Sequence, residues 1–142
     1  AWAPEWAPHG RLIACVSDGG RRGAAFVYLV HVETGSVRRL TDGDLPERDP
    51  RWSPDGSNLA FIVRESQWSS RVVLFDLRTG KSIVVVGGGS LNMQPAFTAD
   101  GRSLMYASLA SGRLNLWRVA LDTLERTAVD HGSQSDQCPR PF

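Results

Sequence analysis

One heptapeptide, Pro50-Arg51-Trp52-Ser53-Pro54-Asp55-Gly56, followed by the apolar run Leu59-Ala60-Phe61-Ile62, constrains this chain more than anything else in it. It recurs. Trp6-Ala7-Pro8-His9-Gly10 leads into Ile13-Ala14-Cys15-Val16, and Phe97-Thr98-Ala99-Asp100-Gly101 leads into Leu104-Met105-Tyr106-Ala107. Pro139-Arg140-Pro141-Phe142 starts another copy, and the aromatic residues Trp6, Trp52, Phe97 and Phe142 are 46, 45 and 45 residues apart. A fixed period of this length restricts the fold to a repeat architecture.

Each part of the motif has a physical role. A proline before the aromatic residue cannot donate a ladder hydrogen bond and belongs at a strand start or on an edge. The aromatic ring supplies a large apolar area, so burial of Trp52 would make Trp52→Ala cost about 3–5 kcal/mol. Pro54-Asp55-Gly56, like Asp100-Gly101 and the variant ending in Gly10, is a tight turn between antiparallel strands: Asp bonds its own backbone and Gly accepts a positive φ. A third apolar run, a polar turn and a fourth run follow in every copy: Ala25–Val30 then Val37–Thr41, Val72–Phe75 then Ile83–Val86, Leu114–Trp117 then Leu124–Val129. Four short antiparallel strands per period make the blade of an all-β propeller. Three blades are predicted, over residues 1–46, 47–91 and 92–135, with residues 136–142 opening a fourth repeat. Inner strands are expected from Pro50 and Pro95, after links Asp42–Asp49 and Gly87–Gln94. Leu59–Val63 and Val72–Phe75 are almost continuously apolar, which predicts burial on both faces.

Trp52-Ser53-Pro54-Asp55-Gly56 resembles the first-strand signature of TolB-type, WD-repeat-like propellers, and the other copies resemble it in part. The likeness spans essentially the whole chain. It implies six blades, no cofactor and a periplasmic or extracellular location. It is specific for fold rather than function, because such blades serve scaffolds, peptidases and lyases alike. The leading expectation is a non-catalytic scaffold for protein or peptide binding. The alternative is the gating domain of a prolyl-oligopeptidase-like serine hydrolase. A lyase would need a cluster of His ligands, and His9, His31 and His131 fall in different settings.

A net charge of +1 gives no electrostatic bias toward nucleic acid, and no apolar run is long enough to span a membrane as a helix. Asp42, Asp44, Glu47 and Asp49 form the one carboxylate cluster; they read as solvated loop charges, with Asp49 capping the turn into the next strand, rather than as a metal site. Arg21-Arg22 and Arg38-Arg39 read as solvated. Gly87-Gly88-Gly89 lacks the spacing of a phosphate loop and reads as a flexible link. Cys15 replaces Phe61 and Tyr106 of the other copies and reads as a buried free thiol; Cys138 lies in a loop-like stretch.

The links between blades and the second-to-third-strand loops share one face, and the short turns share the other. The variable loops mark the binding face. Its candidate residues are Arg48, Asp49, Trp68, Asn92, Gln94, Asp136 and Gln137. Trp68 stands in the polar stretch Ser66–Ser70 and is expected to fold onto its own blade unless it anchors a partner. Propellers close with roughly four to eight blades, so three leave two apolar flanks. These are expected to be covered by a second copy, giving a six-bladed homodimer, or by further blades of a longer chain.

Overall fold

The computed structural model describes residues 2–18 and 24–129. Those residues form twelve strands in three four-stranded antiparallel sheets, each in chain order. Blade one contains β1 (Trp2–Trp6), β2 (Leu12–Ser17), β3 (Phe26–His31) and β4 (Val37–Arg39). Blade two contains β5 (Glu47–Trp52), β6 (Asn58–Ser66), β7 (Ser69–Asp76) and β8 (Lys81–Val86). Blade three contains β9 (Asn92–Phe97), β10 (Ser103–Ser108), β11 (Asn115–Ala120) and β12 (Arg126–Ala128). Arg21, Arg22, His131, Cys138 and the fourth repeat at 136–142 lie outside the described residues.

The recurrent turn is built as its chemistry requires. Gly10, Gly56 and Gly101 have φ of 75°, 76° and 72°, a region in which a Cβ is disfavoured. The Asp55 carboxylate accepts from Ser57 N–H at 3.0 Å and from the Ser53 and Ser57 hydroxyls at 2.7 Å. Asp100 accepts likewise from Arg102 N–H at 3.0 Å and the Thr98 hydroxyl at 2.6 Å. In blade one His9 replaces the aspartate, and its Nδ1 accepts from Arg11 N–H at 3.1 Å. The same acceptor position is filled by different chemistry.

Blade two is buried on both faces. Leu59, Phe61, Val73 and Phe75 pack against Ala14, Val27, Leu29 and Leu40 of blade one. Ala60, Ile62, Val72, Val85 and Val86 pack against Leu104, Tyr106 and Val119 of blade three. Strand alternation sends successive residues of β6 into opposite seams, which accounts for its unbroken apolar run. Each fully buried Leu, Ile or Phe contributes about 1.5–3 kcal/mol. Cys15 is a buried free thiol.

The aromatic anchors behave differently from a common core position. Trp52 is half-buried, packs on the first seam and donates its indole N–H to Glu5 O of blade one at 2.9 Å. Phe97, which has no polar group to donate, packs on the second seam by apolar contact alone. Trp6 is 58% exposed. The ring of each blade lies back over the preceding blade, and no described residue precedes blade one. Apolar Val37, at 59% exposed, lies on the same outward side as Ile13 and Val30, which pair across β2, β3 and β4. Arg39 is not simply solvated; its guanidinium stacks 3.5 Å over the Phe26 ring.

The inner strands begin earlier than their prolines. Ala3, Asp49 and Gln94, each preceding a proline, have φ of 52°, 55° and 53°. At each the ladder slips by one residue: Trp2 and Glu5 pair with Val16 and Ala14, Arg48 and Arg51 with Ile62 and Ala60, Met93 and Ala96 with Ala107 and Met105. A bulge leaves its extra residue unpaired, so proline's missing N–H costs no ladder bond there. Proline therefore sits inside the strand, and three residues of each predicted link join the sheet.

Candidate functional site

The blade-to-blade links and the β6–β7 and β10–β11 connections share one face. Two polar clasps set its geometry. Glu47 is only 4% exposed; its carboxylate accepts from Val27 N–H at 2.9 Å and from the Thr41 hydroxyl, while its own N–H donates to Ala25 O at 2.7 Å. Glu47 is thus a buried tie between blades one and two, not the solvated loop charge its composition suggests. One repeat later, 45 residues on, Asn92 does the same for blades two and three. Asn92 N–H donates to Ser70 Oγ at 2.8 Å, its side-chain amide to Ser70 O at 2.7 Å, and Ser70 Oγ to Asn92 O at 2.6 Å. At 3% exposed, with its amide nitrogen donating to Ser70 O and Ser90 O, the Asn92 side chain does not face solvent.

Arg48, Asp49 and Gln94 do share the face. Arg48 and Gln94 are exposed, and the half-buried Asp49 carboxylate accepts from Gln94 N–H at 3.4 Å, joining one bulge to the next. Beneath them, blades one and two are joined by the Arg51–Glu5 ion pair. Beside Arg48 opens a cleft of about 340 Å³ between these blades, lined by Val16, Asp18, Ala25, Pro46, Glu47 and Arg64 among others. Asp136 and Gln137 lie outside the described residues.

Trp68 is 72% exposed, contrary to the expectation that it folds onto its blade. The reason is the hairpin below it. β6 and β7 run on to Ser66 and Ser69, so Gln67-Trp68 is a two-residue turn on a projecting ribbon rather than a loose loop. Arg64 Nε donates to Ser66 O at 2.8 Å and its Nη2 to Gln67 O at 3.2 Å, and Ser66 Oγ accepts from Trp68 N–H at 3.1 Å. Glu65 accepts from the Ser69 hydroxyl at 2.8 Å and faces Arg71 Nε at 3.4 Å. Ser69 Oγ in turn accepts from Gly89 N–H at 2.8 Å. A Cβ at Gly88 would come within 1.8 Å of Glu65 Oε1. The triglycine is therefore a close backbone approach of the link to the hairpin, not merely slack.

Arg64 and Ser70 escaped the sequence reading, which took Glu47 for a solvated charge. Only the 45-residue offset between Glu47 and Asn92 could have marked a shared position. No group of three or more His, Cys, Asp or Glu side chains placed to hold a metal occurs among the described residues.

Stacked four-stranded antiparallel sheets, with short turns on one face and tied, projecting loops on the other, are the blades of a β-propeller. The chain belongs to the TolB beta propeller domain family, whose family model matches residues 2–140. It is similar to the uncharacterized protein Atu1656 of Agrobacterium fabrum, 28% identical over 135 residues, covering 94% of this chain and 45% of that protein. A solved structure assigned to TolB from Agrobacterium tumefaciens superposes with a TM-score of 0.80 at 26% identity, covering 96% of this chain and 48% of that one. The uncharacterized peptidase YuxL of Bacillus subtilis is 43% identical over 61 residues, which are 42% of this chain and 9% of that protein. The chain thus spans about half the length of the Agrobacterium relatives.

Proposed function

We propose that these blades belong to a non-catalytic propeller scaffold that binds a protein or peptide segment across the loop face. The observation that carries this reading is Trp68, held 72% exposed on a hairpin stiffened by Arg64, Glu65 and Ser69. An exposed indole on a rigid support adds contact area at little entropic cost, and tryptophan is enriched among residues that dominate binding energy. Arg48 and the neighbouring cleft offer polar contacts around that anchor. A peptide-display selection against the chain tests this. Selected ligands should lose about tenfold or more in affinity on Trp68→Ala, a hot-spot loss above 1.4 kcal/mol, and less on Arg48→Ala. Ligands that bind Trp68→Ala and Arg48→Ala unchanged would overturn it.

The same proposal completes the ring. Trp6 and Val37 mark an apolar flank on blade one that three further blades would cover, supplied by a second copy or by more of the same polypeptide. By family resemblance the scaffold works in the periplasm or outside the cell, and labelling of the protein in intact cells by an impermeant reagent tests that location. A second reading rests on the 61 residues shared with a peptidase: the blades would gate a serine hydrolase domain. Reaction of the native full-length protein with a fluorophosphonate probe separates the two, since only the hydrolase would label.

A further inference from the structure

The three blades provide an internal comparison at their outer edges. Leu29, Leu74 and Arg118 occupy one repeat position, opposite Ala14, Ala60 and Met105, and Tyr28, Val73 and Trp117 the position before it, opposite Cys15, Phe61 and Tyr106. Their partners on the outermost strand are Arg38 and Arg39 in blade one, Ile83 and Val84 in blade two, and Thr127 and Ala128 in blade three. Exposed edges present unpaired backbone groups, and natural sheets blunt them with short strands and charged side chains. β4 and β12 follow this rule, with three residues each and arginine at the edge. β8 does not. It has six residues, it ends its sheet, and Ile83 and Val84 are 49% and 42% exposed. Lys81 begins the strand, and a slip in the ladder at its far end turns Val85 and Val86 into the seam with blade three. The usable edge is therefore Lys81-Ser82-Ile83-Val84.

The geometry points to β8 as a second interaction surface, independent of the loop face, that accepts an extended peptide strand in antiparallel pairing. Main-chain hydrogen bonds along the edge supply affinity, and side-chain matching supplies register. Opposite Val84 and Ile83 the peptide presents two successive apolar, β-branched residues, one on each face of the strand. Then comes a polar residue facing Ser82 and a carboxylate facing Lys81, since opposite charges directly across a ladder are favourable. A second copy of this chain is not the occupant. Four residues of edge bury far less than the roughly 1,200 Å² of a stable specific interface, and self-pairing would bring no carboxylate to Lys81.

The probe is acetyl-Thr-Val-Ile-Thr-Glu-amide, fluorescently tagged and titrated against the full chain. Binding should slow amide exchange at residues 81–84 and leave residues 37–39 and 126–128 unchanged. The double variant I83R/V84R, which copies blade one's edge, should weaken binding by about tenfold through lost cross-strand pairs and an added like charge. The lysine-for-glutamate peptide should bind the unaltered chain more weakly, a readout that does not depend on how any variant folds. Absence of protection at residues 81–84 at about 1 mM peptide, where a millimolar site is half filled, would overturn the proposal. So would equal binding by folded I83R/V84R, or protection that grows with protein concentration in the absence of peptide.

Discussion

Replacing Glu47 with alanine should cut the clasp between blades one and two, and the size of the loss follows from its bonds. The carboxylate accepts from Val27 N–H at 2.9 Å and from the Thr41 hydroxyl, and Val27 is 0% exposed. A hydrogen bond to a charged group contributes about 1.5–3 kcal/mol, and a buried donor left without a partner costs about 1–3 kcal/mol. Two terms reduce the sum. The removed charge no longer carries a desolvation cost, and the site borders the loop-face cleft, so water can reach part of the vacated space. A loss of about 3 kcal/mol is expected, which lowers the Tm of a domain this size by about 6–12 °C. Glu47→Gln keeps an acceptor at the Val27 N–H and should lose about 1 kcal/mol. Urea unfolding followed by circular dichroism measures both. A loss under about 1 kcal/mol for Glu47→Ala, or equal losses for the two variants, would refute the account of Glu47 as a tie.

Trp52→Ala should cost about 2–3 kcal/mol, less than the loss of a fully buried ring, because the indole is half-buried at the first seam; thermal melts of the variant check the value. Asp55 is held down from 3.8 to about 2, chiefly by Ser57 N–H and then by the Ser53 and Ser57 hydroxyls. A depressed folded-state pKa means that its stabilisation is complete above about pH 4 and is lost as pH falls toward 2. Urea midpoints measured across that window should fall less steeply for Asp55→Asn than for the unaltered chain. Gly88→Ala should displace Glu65 from Ser69 and Arg71 and so loosen the hairpin tip, seen as faster amide exchange at Gln67 and Trp68 with a Tm change of only a few degrees. Light scattering should find the isolated chain as a dimer or as larger aggregates, because an apolar flank seeks cover; a stable, soluble monomer would count against the covered-flank reading.

The architecture was legible in the chain because it is periodic. Turn chemistry is local: Asp55 or Asp100 followed by glycine reverses the backbone wherever it stands, and a spacing of 45 residues between such turns leaves room for four strands and little else. Burial of blade two on both sides was legible for the same reason, since Leu59-Ala60-Phe61-Ile62 offers no polar face to water. The candidate site was less so. A buried Glu47 and an exposed Trp68 run against the usual preference of each residue type, and neighbours on other strands or blades settled both. Glu47 is desolvated because the edge of β3 presents a backbone donor to it, and Trp68 stays in water because Arg64 and Ser69 hold its hairpin upright. Residue type and spacing determine where the backbone turns and which runs must be buried. Which polar group is sheltered, and which ring is left outside, depends on partners far apart in sequence, and only the packed blades bring those together.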